Sequence, residues 1–283
     1  MSRIAYVNGR YVPHGQASVH IEDRGYQFSD AIYEVCETRD GKLIDLPGHL
    51  DRLERSAQEL HLALPMNRTA LTFVMGEVTR LNRVENGLVY LQISRGVAPR
   101  NHHFPKPDTP PAIVVTARSS SRALSESKAA RGISVISVPD IRWERVDIKT
   151  VSLLPNVLAK EKAKAAGADE AWFLDENGDV TEGASTNAWI VTVDNVLVTR
   201  EATGSILKGI TRMGVMRTAE AVQLRVEERR FTLEEAKAAK EAFISSASTI
   251  VMPVVKIDGH VIGDGTPGPV AKRLRALFHD HAL

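Results

Sequence analysis

The chain has 283 residues, enough for two domains with apolar cores of their own, and 36 Lys and Arg against 35 Asp and Glu give a formal charge of +1. That balance excludes a broad electrostatic footprint for nucleic acid, and 43% hydrophobic with 25% charged residues excludes disordered, collagen-like and coiled-coil chains. The one cysteine, Cys36, cannot form an intrachain disulfide, Met1 to Gly9 reach a turn before an apolar leader could develop, and no run approaches ~18 apolar residues, so a cytoplasmic protein is expected.

In chain order, Ala5-Tyr6-Val7 and Arg10-Tyr11-Val12 flank Asn8-Gly9, a pair that tolerates the positive φ of a tight hairpin. Asp40-Gly41 predicts a second hairpin. Leu46, Leu50, Leu53, Ala57 and Leu60 recur at spacings of three and four, with Pro47 near the start, and predict an amphipathic helix. A second helix is expected over 69–82, a strand over 88–94 and a short β-branched strand over 112–116.

The stretch over 117–127 is too polar to pack and reads as a linker, which sets domains at 1–118 and 126–283 with the linker proper at 119–125. Beyond it the pattern gives a strand over 133–138, a helix over 156–166 stopped by Gly167, and a strand over 171–174 leading through Asn177-Gly178 to Val180. Strands over 188–193 and 196–199 pair across Asp194-Asn195, and helices follow over 211–223, 232–239 and 269–278, with a strand over 242–245. Thr232 and Glu235 have the spacing of a capping box. Hairpins with grouped helices argue for an α+β fold and against a Rossmann or TIM arrangement.

Four segments carry candidate chemistry. Lys149, in Asp147-Ile148-Lys149-Thr150, ends an apolar region where an ammonium needs a partner or a covalent use, although spacing alone also fits an exposed strand-end lysine. Glu182 leaves a strand into Gly183-Ala184-Ser185-Thr186-Asn187, which either turns the chain or offers amides and hydroxyls to an anion. Leu207-Lys208-Gly209-Ile210-Thr211-Arg212 precedes a helix, and Thr211 is either a plain N-cap or part of a phosphate site at the positive helix end. Arg100-Asn101-His102-His103-Phe104-Pro105 joins a fixed cation to an imidazole, which suits a carboxylate better than a metal. Arg52, about 115° from the centre of its helix's apolar stripe, reads alone as a solvated charge, and His279 and His281 as a frayed tail.

Taken in order, these segments resemble the class IV aminotransferases, the fold type IV group of pyridoxal phosphate enzymes. Asp23-Arg24-Gly25-Tyr26-Gln27-Phe28-Ser29-Asp30-Ala31-Ile32-Tyr33-Glu34 is similar to the family's early motif, and His49-Leu50-Asp51-Arg52-Leu53 to its phosphate-arginine helix. Asp147-Ile148-Lys149 looks like the cofactor lysine, Thr181-Glu182-Gly183 with Asn187 like the pyridine-binding glutamate, and Leu207 to Arg212 like the phosphate cup. Ser94-Arg95-Gly96 through Pro105 is similar to the Arg-x-His loop of the D-amino-acid (D-alanine) aminotransferases.

The resemblance implies two domains, a small N-terminal α/β sandwich-like one and a larger C-terminal one with a mixed barrel-like sheet. It implies pyridoxal 5'-phosphate between them in a homodimer, with the Arg-x-His loop reaching the neighbouring subunit's site. Lys149 would anchor the cofactor and, as a free amine, move the substrate Cα proton, while Glu182 keeps the ring nitrogen protonated. Arg52, the amides of Ile210 and Thr211, and the Ser246-Ala247 turn would hold the phosphate; Tyr33, Arg100 and His102 would fix the substrate α-carboxylate. The implied partners are small amino and 2-oxo acids, with no nucleic acid, membrane or metal, and the implied reaction converts D-alanine and 2-oxoglutarate to pyruvate and D-glutamate by ping-pong turnover. Ala184 and Ala247 stand where hydroxyl residues are common. A branched-chain L-amino-acid aminotransferase or a 4-amino-4-deoxychorismate lyase of the same fold stays open, as does, more distantly, a non-catalytic binding protein.

Overall fold

The computed structural model describes residues 3–282; Met1 and Ser2, part of the start read above against a leader, lie outside them. The described residues divide into two compact units: those up to Ser121 together with Ile148–Ser152, and Arg122–Asp147 together with Leu153–Ala282.

The first unit contains β1 (Ile4–Val7), β2 (Arg10–Pro13), α1 (Arg24–Phe28), β3 (Ala31–Arg39), β4 (Lys42–Leu43), α2 (Leu46–Glu59), α3 (Arg68–Leu81), β5 (Gly87–Ser94) and β6 (Ala112–Ser119). Both expected hairpins form, with Asn8 and Gly9 at φ 45° and 90° and Asp40 and Gly41 at 49° and 75°. The six strands make one antiparallel sheet in the order β2-β1-β6-β5-β3-β4. β5 alternates, burying Val89, Leu91 and Ile93, and these pack with Leu50, Leu53 and Ala57 of α2 and Leu71, Val74, Met75 and Val78 of α3. Each of the larger side chains contributes roughly 1.5–3 kcal/mol by leaving water, which fixes α2 and α3 to the sheet. Asn67 caps α3 by accepting from the Ala70 amide at 2.9 Å.

The second unit contains α4 (Arg122–Arg131), β7 (Ile133–Pro139), α5 (Leu154–Ala165), β8 (Glu170–Leu174), β9 (Val180–Gly183), β10 (Asn187–Val191), β11 (Leu197–Thr199), α6 (Ile210–Ala221), β12 (Val226–Glu228), α7 (Leu233–Lys237), β13 (Glu241–Ser246), β14 (Ile250–Ile257), β15 (His260–Val261) and α8 (Pro269–Leu277). Its sheet runs β12-β11-β10-β13-β14-β7-β8-β9, with parallel pairs at β11/β12, β14/β7 and β7/β8, and β15 paired to β14. β9 passes into β10 through a turn in which the Gly183 amide donates to the Thr186 carbonyl at 2.7 Å, so the end of the strand path comes back to its middle and the sheet is curled. Thr232 caps α7 by accepting from the Glu235 amide at 3.0 Å, as its spacing predicts.

Three expectations need correction. The stretch over 117–127 is not an open linker: β6 extends to Ser119 and α4 begins at Arg122. Only Ala129 of α4 is buried, and α4 is tied down by Arg275 of α8, whose guanidinium donates to Ser125 Oγ and both Glu126 oxygens at 3.0–3.1 Å. Thr211 is not the helix cap; Gly209 is, and Thr211 is the second helical residue. The expected frayed tail is a 3-10 turn over Phe278–Asp280 with Phe278 buried, and the His281 carbonyl accepts from Arg217 Nε at 3.2 Å. Among the described residues no helix is long and apolar enough to cross a membrane.

Candidate functional site

Lys149 was placed with the C-terminal domain over 126–283, yet its segment groups with the first unit. It is an extended strip along β3: the Tyr33 amide donates to the Lys149 carbonyl at 3.0 Å, the Val151 amide donates to the Ala31 carbonyl at 3.1 Å, and Thr150 bridges Ile32. The Lys149 amide donates to Ser56 Oγ of α2 at 3.4 Å. Main-chain bonds therefore set where this lysine starts, and its Nζ lies 4.3 Å from the Tyr33 ring centroid. Tyr90 packs on Tyr33 at 5.7 Å, and burial, then Tyr33, push its phenol up to about 12, so it stays neutral at ordinary pH.

Glu34 follows Tyr33 and, by the alternation of a strand, points to the opposite face. There it meets Arg52, one helical turn before Ser56: Arg52 Nε donates to Glu34 Oε1 at 2.8 Å and Nη2 to Oε2 at 2.7 Å, and His49 Nδ1 lies 2.7 Å from the same Oε2. Burial pushes the Glu34 carboxyl up, but the Arg52 charge and hydrogen bond, followed by His49, outweigh it and hold Glu34 at about 2. The first unit thus sets Lys149 beside Tyr33 and holds Arg52 on Glu34, across β3 from Tyr33. Arg100 and His102 are exposed and form another group in the same unit, around Phe28, with the Arg100 guanidinium 5.1 Å and the His102 ring 5.3 Å from its centroid.

The second unit gathers Glu182, Ile210, Thr211, Ser246 and Ala247. Glu182, buried on β9, accepts from Arg142 Nη1 at 2.5 Å and the Leu207 amide at 3.1 Å on Oε1, and from Asn187 Nδ2 at 3.1 Å on Oε2. Asn187 also donates to the Leu207 carbonyl at 3.0 Å, which ties β10 to the loop before α6. A Cβ at Gly209 would come 2.1 Å from Asn187 Oδ1, so glycine is what lets α6 start this close. No side chain caps α6, so the Ile210 and Thr211 amides stand at its positive end. Asn187 pairs with Ser245 in register, and next along β13 Ser246 Oγ meets Thr249 Oγ1 at 2.8 Å and Ser248 Oγ at 3.1 Å in the turn that holds Ala247.

Arg142 escaped the sequence reading, and Glu34 and His49, although within the quoted motifs, were given no role in it. Arg142 binds Asp140 through Nε at 2.9 Å and Nη2 at 2.7 Å and lies 4.4 Å from the Phe173 centroid. Burial disfavours its charge, but Asp140 and Glu182 outweigh burial and raise its pKa, so a fixed cation backs the Glu182 carboxylate. Arg142 sits between Ile141 and Trp143 in a segment that also carries Asp140, Glu144, Arg145 and Asp147, so nothing in the sequence singled it out. Ser185 Oγ is turned away to Glu170 at 3.0 Å, whereas Thr186 Oγ1 is buried with no hydrogen-bond partner. In the second unit, a buried carboxylate backed by a cation, an uncapped helix end and a buried hydroxyl with no hydrogen-bond partner suit a basic ring nitrogen and an anionic group, and the first unit by itself offers a placed amine and a held guanidinium.

Comparison with known proteins agrees with these parts. A family profile described as Amino-transferase class IV matches residues 31–257. The chain is 42% identical over 277 residues to a D-alanine aminotransferase of Staphylococcus haemolyticus, covering 98% of this chain and 96% of that one. Its fold matches a branched-chain amino acid aminotransferase of Escherichia coli with a TM-score of 0.90 at 24% identity, over 98% of this chain and 94% of that chain. It also matches a branched-chain amino acid aminotransferase of T.th. with pyridoxamine 5'-phosphate, with a TM-score of 0.89 at 28% identity, over 98% and 93% of the two chains.

Proposed function

The chain belongs to the class IV aminotransferases, which use pyridoxal phosphate, and from that membership we propose that it transaminates D-amino acids, passing the amino group of D-alanine to 2-oxoglutarate in two half-reactions. The observation that carries the substrate class is the near-full-length likeness to enzymes named for D-alanine. The fold is shared with enzymes named for branched-chain substrates, which keeps that alternative as the outcome to test.

In this reading Arg52, the amides of Ile210 and Thr211, and the Ser246-Ala247 turn bind the cofactor phosphate, and the buried Thr186 hydroxyl finds its missing partner on the same group. When bound, the cofactor supplies an electron sink for the bond broken at the substrate Cα. Lys149 Nζ takes the proton from that carbon and returns it on the acceptor side. Glu182, kept anionic by Arg142, holds a proton on the ring nitrogen. Tyr33, Arg100 and His102 bind the α-carboxylate and so choose which face of Cα meets Lys149. Neither the alanine at 184, whose carbonyl accepts from Asn156 Nδ2 at 2.8 Å, nor Ala247 removes a charged group from this set.

The same proposal makes the enzyme a cytoplasmic homodimer. It is supported by the free, buried Cys36 and by the exposed apolar row Leu154, Val157 and Leu158 of α5, with Ile141 and Trp143 also exposed nearby in sequence.

The purified protein is expected to be yellow, to lose its visible band on addition of D-alanine and to regain it with 2-oxoglutarate. Bleaching by L-leucine and not by D-alanine would move the enzyme to the branched-chain class, and a colourless protein after incubation with pyridoxal phosphate would sink the cofactor assignment. Arg100→Ala is expected to raise the KM for D-alanine by about tenfold or more, the size of one lost charge-assisted contact, with pyridoxal phosphate affinity unchanged. An unaltered KM removes Arg100 from the carboxylate site.

A further inference from the structure

The first part of the early motif, residues 23–30, has no part in the reading above, yet it contains half of a buried charge cluster in the first unit. Arg24 and Arg95 are both buried, and each donates from Nε to the same atom, Asp30 Oδ2, at 2.8 Å. Two cations on one carboxylate leave a net positive charge away from water, a costly arrangement unless the remaining donors are well used. Arg95 spends its outer nitrogens on the carbonyls of His61 and Leu60 at 2.8 and 2.7 Å. Arg24 uses Nη1 on the carbonyl of Asn101 at 2.6 Å. Asn101 is the residue between Arg100 and His102.

The rest of the motif converges on the same loop. The Phe28 ring has the Arg24 guanidinium at 4.7 Å, Arg100 at 5.1 Å and the His102 ring at 5.3 Å, so one aromatic ring gathers three basic groups around it. Arg95 lies 3.8 Å from the centroid of Phe104 at the loop's far end. At the near end the Arg24 amide donates to the Gly96 carbonyl at 2.9 Å, and Asp23 bridges Val97 while accepting from Ser94 Oγ at 2.7 Å. The exposed loop is therefore held from beneath at its start, middle and end.

We propose that Arg24 is a positioning residue for substrate capture: by gripping the Asn101 carbonyl and sharing Asp30 with Arg95, it sets where Arg100 and His102 stand on Phe28. The proposal rests on the assignment of Arg100 and His102 to the substrate carboxylate. A guanidinium misplaced by ~1 Å can cost on the order of 100-fold.

Arg24→Met in the holoenzyme tests this cleanly, because it keeps side-chain bulk and leaves Asp30 and Arg95 as a neutral one-to-one pair. The expected result is a KM for D-alanine and for 2-oxoglutarate raised at least about tenfold, with kcat, the visible cofactor band and Tm close to wild type, and no further rise when Arg24→Met is added to Arg100→Ala. If Tm falls so far that kinetics are obscured, Phe28→Leu, which removes no charged group but takes away the ring that Arg100 and His102 stand on, carries the same expectation. A wild-type KM in either variant, or a loss that tracks Tm and the cofactor band, overturns the proposal. If Arg100→Ala itself leaves KM unchanged, the carboxylate assignment is what has failed, and an effect of Arg24→Met then arises elsewhere and overturns the proposal with it.

Discussion

Lys149→Ala is expected to lower turnover of D-alanine by roughly 100- to 10,000-fold or more, because it removes the group proposed to move the Cα proton. The fold should survive. The backbone of this segment is held by main-chain bonds to Ala31, Ile32 and Tyr33 and by Ser56, none of which uses the lysine side chain. Steady-state rates measured beside Tm separate the two effects, and a small primary amine added to the variant is expected to restore part of the rate. Turnover above a tenth of wild type with an unchanged Tm would remove Lys149 from the chemistry.

Glu34→Ala is expected to destabilise the protein by about 3–5 kcal/mol, the usual cost of leaving a buried charge without its partner, and to lower Tm by on the order of 10 °C. Arg52 and His49 would then face each other without the carboxylate they share. The same pair predicts an acid response. Glu34 is held at about 2 against an ordinary 4.5, so the folded state binds its proton less readily than the unfolded chain does. Its contribution, about 3 kcal/mol, is complete above pH ~4.5 and is lost as pH falls from there through ~2. Wild-type stability should therefore fall steeply in that window, and the alanine variant, already lacking the term, should fall less. Parallel acid-unfolding curves for the two proteins would show that Glu34 is not the group responsible.

Local patterns in the chain told of much of the fold. Asn8-Gly9, the spacing of Leu46 to Leu60, and Thr232 with Glu235 each act over a few residues, and each produced the expected element. What stayed hidden depends on partners far along the chain. α4 looked unable to pack because only Ala129 is buried, and it is held by an arginine about 150 positions away. β3 gave no clean alternation because its buried face includes Glu34 and Thr38, which are polar yet enclosed. The candidate site behaved the same way: Arg52 reads as a surface charge until Glu34 appears opposite it, and Arg142 was invisible until Glu182, forty positions on, closed against it. The family likeness supplied those residues whose partners periodicity could not see, and although its motifs include Glu34, His49 and Asn187 it gave no sign that they stand behind Arg52 and Glu182.

The strip Ile148–Ser152 gives the protein an interlaced order of assembly. The polypeptide leaves its first unit at Ser121, returns for five residues, and departs again at Leu153. During synthesis, the main-chain groups of Ala31 and Tyr33 wait through more than a hundred further residues for their partners. A gene cut after residue 121 would give one product without the lysine and another whose lysine has left its β3 partners behind. The two units are therefore not interchangeable parts: a recombinant that exchanged one at the obvious seam would inherit the scaffold from one parent and the reactive amine from the other.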